Sequence, residues 1–239
     1  MRVDTHKKNE ALLKLIADPS TIIFLDANII IPPDRSRLGV KPFAFEKYKE
    51  CWLNPLFESF SSLAVHESVR AEFVESTVDS FVSEKESEHR LQIHSTSSLS
   101  QEEKGCFNLY VQKLAQHSEY SPERDNAKDR GEILSLSYMA TKDYLFFAAN
   151  DELPRRLIEN ADELNTGLDD MEFLRSFDVI YYLTKSGRYD KKGLRILYKY
   201  LYYMTAYEKK TNPSWEEFIS QMDELYQEAY STDVATDLI

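Results

Sequence analysis

Asp26 and Asp151 each follow an apolar run, Asp26 directly after Thr21–Leu25 (TIIFL) and Asp151 after Tyr144–Ala149 (YLFFAA) with Asn150 between. Ile22, Ile23, Phe24 and Leu25 do not alternate with polar residues, which reads as a strand buried on both faces. In open parallel sheets ligands gather at the carboxyl ends of the strands. Two carboxylates leaving one such edge repel, and a proton or a hard divalent cation with oxygen ligands relieves them. A lone carboxylate in a buried run is costly, so Asp26 reads as functional. Asp151 reads equally well as the cap of a following helix. Glu132 and Asp129 have the spacing D-x-x-E, and on the residues alone a helix cap is the simpler account of them. Glu72 lies in a helical stretch where glutamates usually face solvent, and Glu67 competes for its role. Asn28 suits a hydrogen bond beside Asp26 or the turn before Pro32-Pro33.

The elements that must position these residues follow from hydrophobic periodicity. Helices are expected over Lys8–Ile16, Phe45–Phe60, Glu67 to about Glu88, Phe107–Ala115, Gly131–Thr141, Leu153–Glu159, Phe177–Thr184, Lys191–Tyr207 and Ser214–Tyr230. Strands are expected at Thr21–Leu25, Ser62–Val65, Tyr144–Ala149 and Met171–Leu174. Ser83–Lys104, rich in Ser and Glu, reads as a loop or a frayed helix end, and Pro122–Asn126 as a loop. Alternating strands and helices predict an α/β fold around a mainly parallel sheet of four or five strands.

The acidic positions resemble the motifs of PIN domains. Leu25-Asp26-Ala27-Asn28-Ile29-Ile30 is similar to the opening motif, and Ser68-Val69-Arg70-Ala71-Glu72-Phe73 to the second, whose acid lies on a helix. Asp129-Arg130-Gly131-Glu132-Ile133-Leu134 is similar to the third and Phe147-Ala148-Ala149-Asn150-Asp151 to the fourth, though Ala149 stands where that motif usually has Ser or Thr. Glu172 to Gly187 resembles the closing unit. The four motifs keep the family's order, and the resemblance runs from Thr21 to Gly187. It implies a three-layer α/β/α fold and a Mg²⁺- or Mn²⁺-dependent endoribonuclease, with Asp26, Glu72, Glu132 and Asp151 as catalytic metal ligands. Asn28, Asp129 and Asn150 would support them. Residues 1–187 would form the nuclease domain, with a helical insertion around 76–128, and 188–239 a C-terminal helical extension. RNA is the implied substrate. Many family members are toxins held by a partner protein, so an inhibitory partner is a further expectation, as is a homodimer. The alternative is a weakly active or inactive PIN-like binding module.

The chain of 239 residues carries a net charge of −12, the wrong sign for a general nucleic-acid binder. Lys185–Lys210 runs against it, with eight basic residues and two acids, a balance of +6. Within it Lys191, Lys192, Arg195 and Lys199 are expected to contact phosphates, and Tyr198, Tyr200, Tyr202 and Tyr203 either to stack on bases or to pack as core. Cys51 and Cys106 form no CxxC pair, so neither a structural zinc site nor a disulfide framework is indicated; with no export signal, a cytoplasmic protein is expected. A dehalogenase site would need a second Asp where Asn28 stands. A receiver domain would need an acidic pair before its Asp, and P-loop and GxGxxG motifs are absent.

Overall fold

The computed structural model describes residues 2–233. They fall into two compact units: one comprises Ile22–Ile31 and Ser62–Phe173, the other the residues before Ile22, Pro32–Ser61 and the residues from Leu174 onward. The parallel sheet has the strands β1 (Ile23–Leu25), β2 (Leu63–His66), β3 (Leu91–His94), β4 (Phe146–Ala148) and β5 (Glu172–Leu174), in the order β3-β2-β1-β4-β5; all but Leu174, the last residue of β5, belong to the first unit. Sequence order therefore reverses around β1, the topology that opens a crevice at the carboxyl ends of the central strands. β1 and β4 are buried throughout, as their unbroken apolar runs require. Their register, Leu25 opposite Ala148, sets the two strand ends level.

Phe24, Ala64 and Phe147 of the sheet pack with Phe107, Val111 and Leu114 of helix Gln101–Ala115 and with Ile133, Leu136 and Met139 of helix Arg130–Thr141. The expectation of a loop over Ser83–Lys104 needs correction: that stretch contains β3 and the start of helix Gln101–Ala115. β3 is a four-residue edge strand held by its ladder to β2, a long-range pairing with no local apolar run to announce it. The helix start is set by a capping box, in which Ser100 Oγ accepts from Glu103 N at 3.2 Å and the Glu103 carboxylate from Ser100 N at 2.7 Å. The helix expected over Glu67–Glu88 is also broken, into Glu67–Arg70 and Ser76–Ser87. Arg70 reaches forward across the break to Asp79 at 2.7 Å, while Phe73 turns into the core.

In the second unit the helices are Glu10–Ala17, the run Phe45–Ser59 with a π-helical stretch at Lys49–Leu53, Ser176–Ser186, Lys191–Tyr202, Ala206–Thr211 and Trp215–Asp233. The single helix expected over Lys191–Tyr207 is two. Arg35 binds the carbonyls of Tyr200 and Leu201 and pairs with buried Glu208, ending one helix and anchoring the next. Tyr198, Tyr200 and Tyr202 are buried, with Tyr198 stacked on Phe218 at 4.5 Å, so these three are core and not base-stacking groups. Among the described residues no helix is long and apolar enough to cross a membrane.

His66, at the end of β2, is buried, bonded to Ser68 Oγ at 2.7 Å and Thr96 Oγ1 at 3.2 Å. Burial holds its imidazole neutral and lowers its pKa to about 4; Glu67 opposes this and His94 adds to it. A folded pKa below the unfolded one contributes stability above pH ~6.5 that is lost as pH falls toward 4, about 3 kcal/mol at most. Urea melts of wild type and His66→Gln at pH 7.5 and 5 should therefore differ in slope, with wild type losing more on acidification. Equal losses would show that His66 does not set this dependence.

Candidate metal centre

Three chain segments meet at the carboxyl ends of β1 and β4. Asp26 ends β1, with its N–H bonded to Ala148 O at 2.9 Å, so the sheet ladder itself fixes its position. Asp151 ends the stretch after β4, and Glu132 lies in the first turn of helix Arg130–Thr141. One carboxylate oxygen from each of Asp26, Glu132 and Asp151 lies within 4.8 Å of the others. Asp26 is buried, Glu132 half-buried and Asp151 exposed, an open-mouthed arrangement with its floor in the sheet.

Asn28 ties the group together. Its Nδ2 donates to Asp26 Oδ2 and, at 2.9 Å, to Asp151 Oδ2, while its Oδ1 accepts from Asn150 N at 3.0 Å. Neither aspartate caps the helix after it through its side chain. The D-x-x-E cap is not formed either. Asp129 adopts a left-handed backbone (φ 58°) and turns its carboxylate to Glu119 N at 2.8 Å and Lys128 Nζ at 2.9 Å. Glu132 is thereby left to face the aspartates.

Glu72 lies in the turn after helix Glu67–Arg70, not on a helix as the motif resemblance implies. It is outside the group of three yet close enough to raise the pKa of Asp26. Glu67, the rival acid, is engaged elsewhere, accepting from Ser95 Oγ at 2.6 Å and Thr96 N at 2.8 Å.

The electrostatics are those of a carboxylate cluster in which repulsion and burial outweigh the nearby cations Arg130 and Lys128. Burial, then Glu132, Asp151 and Glu72, push Asp26 well above the usual carboxylate range. Loss of hydration, then Glu132, raise Glu72 to about 7 even though much of the residue is exposed; Arg130 opposes them. Burial raises Glu132, with Asp151 and Asp129 adding to it. Among the described residues no Lys, Arg or His forms an ion pair with any of the four. An all-oxygen donor set, half open to solvent, fits a hard divalent cation.

Gly131 completes the site and is a residue that motif reading alone passes over. A Cβ there would collide with Glu72 Oε1 and lie 3.5 Å from Val69 Cγ2. The signal was a glycine in the first turn of a helix, where it costs about 1 kcal/mol against Ala. Because the obstructing atom ends a flexible side chain, Gly131→Ala should keep the fold within a few degrees of the wild-type Tm and displace Glu72. Its Mn²⁺-induced rise in Tm should then be smaller than wild type's; an undiminished rise would remove Glu72 from the site.

Lys191, Lys192, Arg195 and Lys199 lie on helix Lys191–Tyr202 of the other unit, where Arg195 is paired with Glu216 at 2.6 Å. Comparison with protein-family models, with curated proteins and with solved structures returns no match for this chain.

Proposed function

We propose that the protein is a metal-dependent endoribonuclease with a PIN-like, three-layer α/β/α fold. The observation that carries the reading is the convergence of Asp26, Glu132 and Asp151 from three distant segments, bridged by Asn28 and in no ion pair with a described side chain. The order of the four acidic motifs supports it. A Mg²⁺ or Mn²⁺ ion held by Asp26, Glu132 and Asp151, with Glu72 beside them, would supply charge neutralisation at a phosphodiester and a water of lowered pKa. Asn28 fixes the two aspartates in one orientation, so little reordering is needed when a cation arrives. Burial and the neighbouring carboxylates raise the pKa values of Asp26 and Glu72, so binding of a cation there would compete with protons.

The test is cleavage of a mixed-sequence RNA pool in millimolar Mn²⁺ and again in EDTA. The reading expects fragments only with the metal. An intact pool under both conditions favours the second reading, a binding module without activity, which the net charge of −12 and Ala149 support.

A further inference from the structure

The basic stretch Lys185–Lys210 looks different once its acids and tyrosines are placed. Asp190 is spent on its own helix, accepting from Lys192 N at 3.0 Å and Gly193 N at 3.1 Å. Glu208 is buried, bound to Arg35 and to the backbone N–H groups of Met204 and Thr205. Neither acid is left to offset the cations outside. Two of those cations are paired, Arg195 with Glu216 and Lys185 with Asp223 at 3.0 Å. Lys191, Lys192, Lys199, Lys209 and Lys210 form no ion pair among the described residues.

The aromatic content is sorted in the same way. Tyr198, Tyr200 and Tyr202 are buried, whereas Tyr207 is 75% exposed and Met204 beside it 39%. Tyr207 does not ride on a loose segment. Its helix, Ala206–Thr211, begins with a capping box between Thr205 and Glu208. Its far end is fixed by Asn212, which donates to Tyr202 O at 2.7 Å and accepts from Val3 N at 2.9 Å. Tyr207 and Lys210 are three residues apart and share the outward face, with Lys209 adjacent. On the preceding helix Lys192 and Lys199 are seven residues apart, about 10 Å along the axis, and share one side. An exposed ring held on an anchored helix and flanked by unpaired cations loses little freedom when a planar group stacks on it.

We propose that this stretch binds single-stranded RNA, with Tyr207 stacking on an unpaired base, Lys209 and Lys210 beside it holding the adjoining phosphates, and Lys192 and Lys199 on the preceding helix holding others along the strand. The choice of RNA as the polymer rests on the ribonuclease reading; the surface itself rests on charge and exposure in the second unit alone. An acidic protein segment would match the charge but offers no base to Tyr207. A duplex keeps its bases stacked inside and leaves the ring without a partner.

Binding is measured by fluorescence anisotropy in EDTA, where no metal-dependent cleavage occurs. The probes are a labelled 12-nucleotide RNA without self-complementarity, its duplex, and polyglutamate of matched charge. Wild type should bind the single strand at least about tenfold more tightly than polyglutamate. Tyr207→Ala should weaken the single strand roughly tenfold, leave the duplex unchanged and keep the salt slope, while Tyr207→Phe restores affinity. Replacing Lys192, Lys199, Lys209 and Lys210 by Ala should flatten the salt dependence by about 0.7 per lost contact. An unchanged slope in that variant, equal effects of Tyr207→Ala on strand and duplex, or polyglutamate binding as tightly as RNA would each overturn the proposal. Cleavage by wild type with no binding defect in these variants removes the surface and leaves the nuclease. Binding defects without cleavage do the reverse.

Discussion

Asp26→Asn will leave a folded protein that cleaves RNA at least about a thousandfold more slowly than wild type. The substitution keeps the shape, and its amide oxygen can still accept from Asn28, so the hydrogen-bonded frame survives. The charge that disappears is the most deeply buried of the cluster. Stabilisation of charge on a phosphodiester by a bound cation is worth several kcal/mol, and each 1.36 kcal/mol is tenfold in rate. The metal-free variant should also be more stable than metal-free wild type at pH 7.5, by on the order of 1–3 kcal/mol, because a buried carboxylate facing other carboxylates has been neutralised. Loss of activity through unfolding would lower the melting temperature instead. Wild-type cleavage rates in a clean preparation of the variant would show that Asp26 takes no part.

Addition of Mn²⁺ should raise the melting temperature of wild type by roughly 5–10 °C. A ligand at a hundred times its Kd adds about 2.7 kcal/mol, and a domain of this length moves about 2–4 °C per kcal/mol. The effect should grow with pH. Glu72, raised to about 7 from an ordinary glutamate value, and Asp26, raised well above the ordinary aspartate range, both contribute stability that is full below their unfolded values near pH ~4 and is lost as pH rises through their folded values. The metal-free protein is thus penalised most where the carboxylates are ionised, and there a cation binds best because no proton competes. Differential scanning fluorimetry at pH 6 and 7.5, with and without metal, reads this directly. A shift that is absent at both pH values, or larger at pH 6, contradicts the expectation. The dependence on His66 runs the opposite way across the same range, and the His66→Gln comparison separates the two.

The sheet was legible where burial leaves a local mark. β1 and β4 are covered on both faces, so their residues are unbroken apolar runs, and the aspartates after them stand out by contrast. β3 was not legible, because four residues with only Leu91 buried acquire strand geometry from β2 and not from their own pattern. The break after Arg70 also left no mark, since no Gly or Pro interrupts residues 71–75 and Val74, 87% exposed, reads as one more apolar position. At the candidate site, spacing alone made Asp129 and Glu132 a cap. The left-handed backbone at Asp129 separates them, and nothing in D-x-x-E announces it. Glu67 and Glu72 were equivalent as letters. The bonds that occupy Glu67 come from Ser95 and Thr96, which β3 places, and β3 lies in a stretch whose composition suggests a loop. In the basic strip, helical spacing could not say which tyrosines face inward, because the helix ends at Tyr202 and not at Tyr207.

The central claim is that Asp26, Glu132 and Asp151 hold a divalent cation, and the most direct measurement is an anomalous difference map from a crystal soaked in Mn²⁺. The account predicts a peak bounded by carboxylate oxygens of these three residues, with Glu72 beside it directly or through water, and no such peak in Asp26→Asn treated identically. A map with no peak among these carboxylates at millimolar Mn²⁺, in crystals grown near pH 7.5, would contradict it.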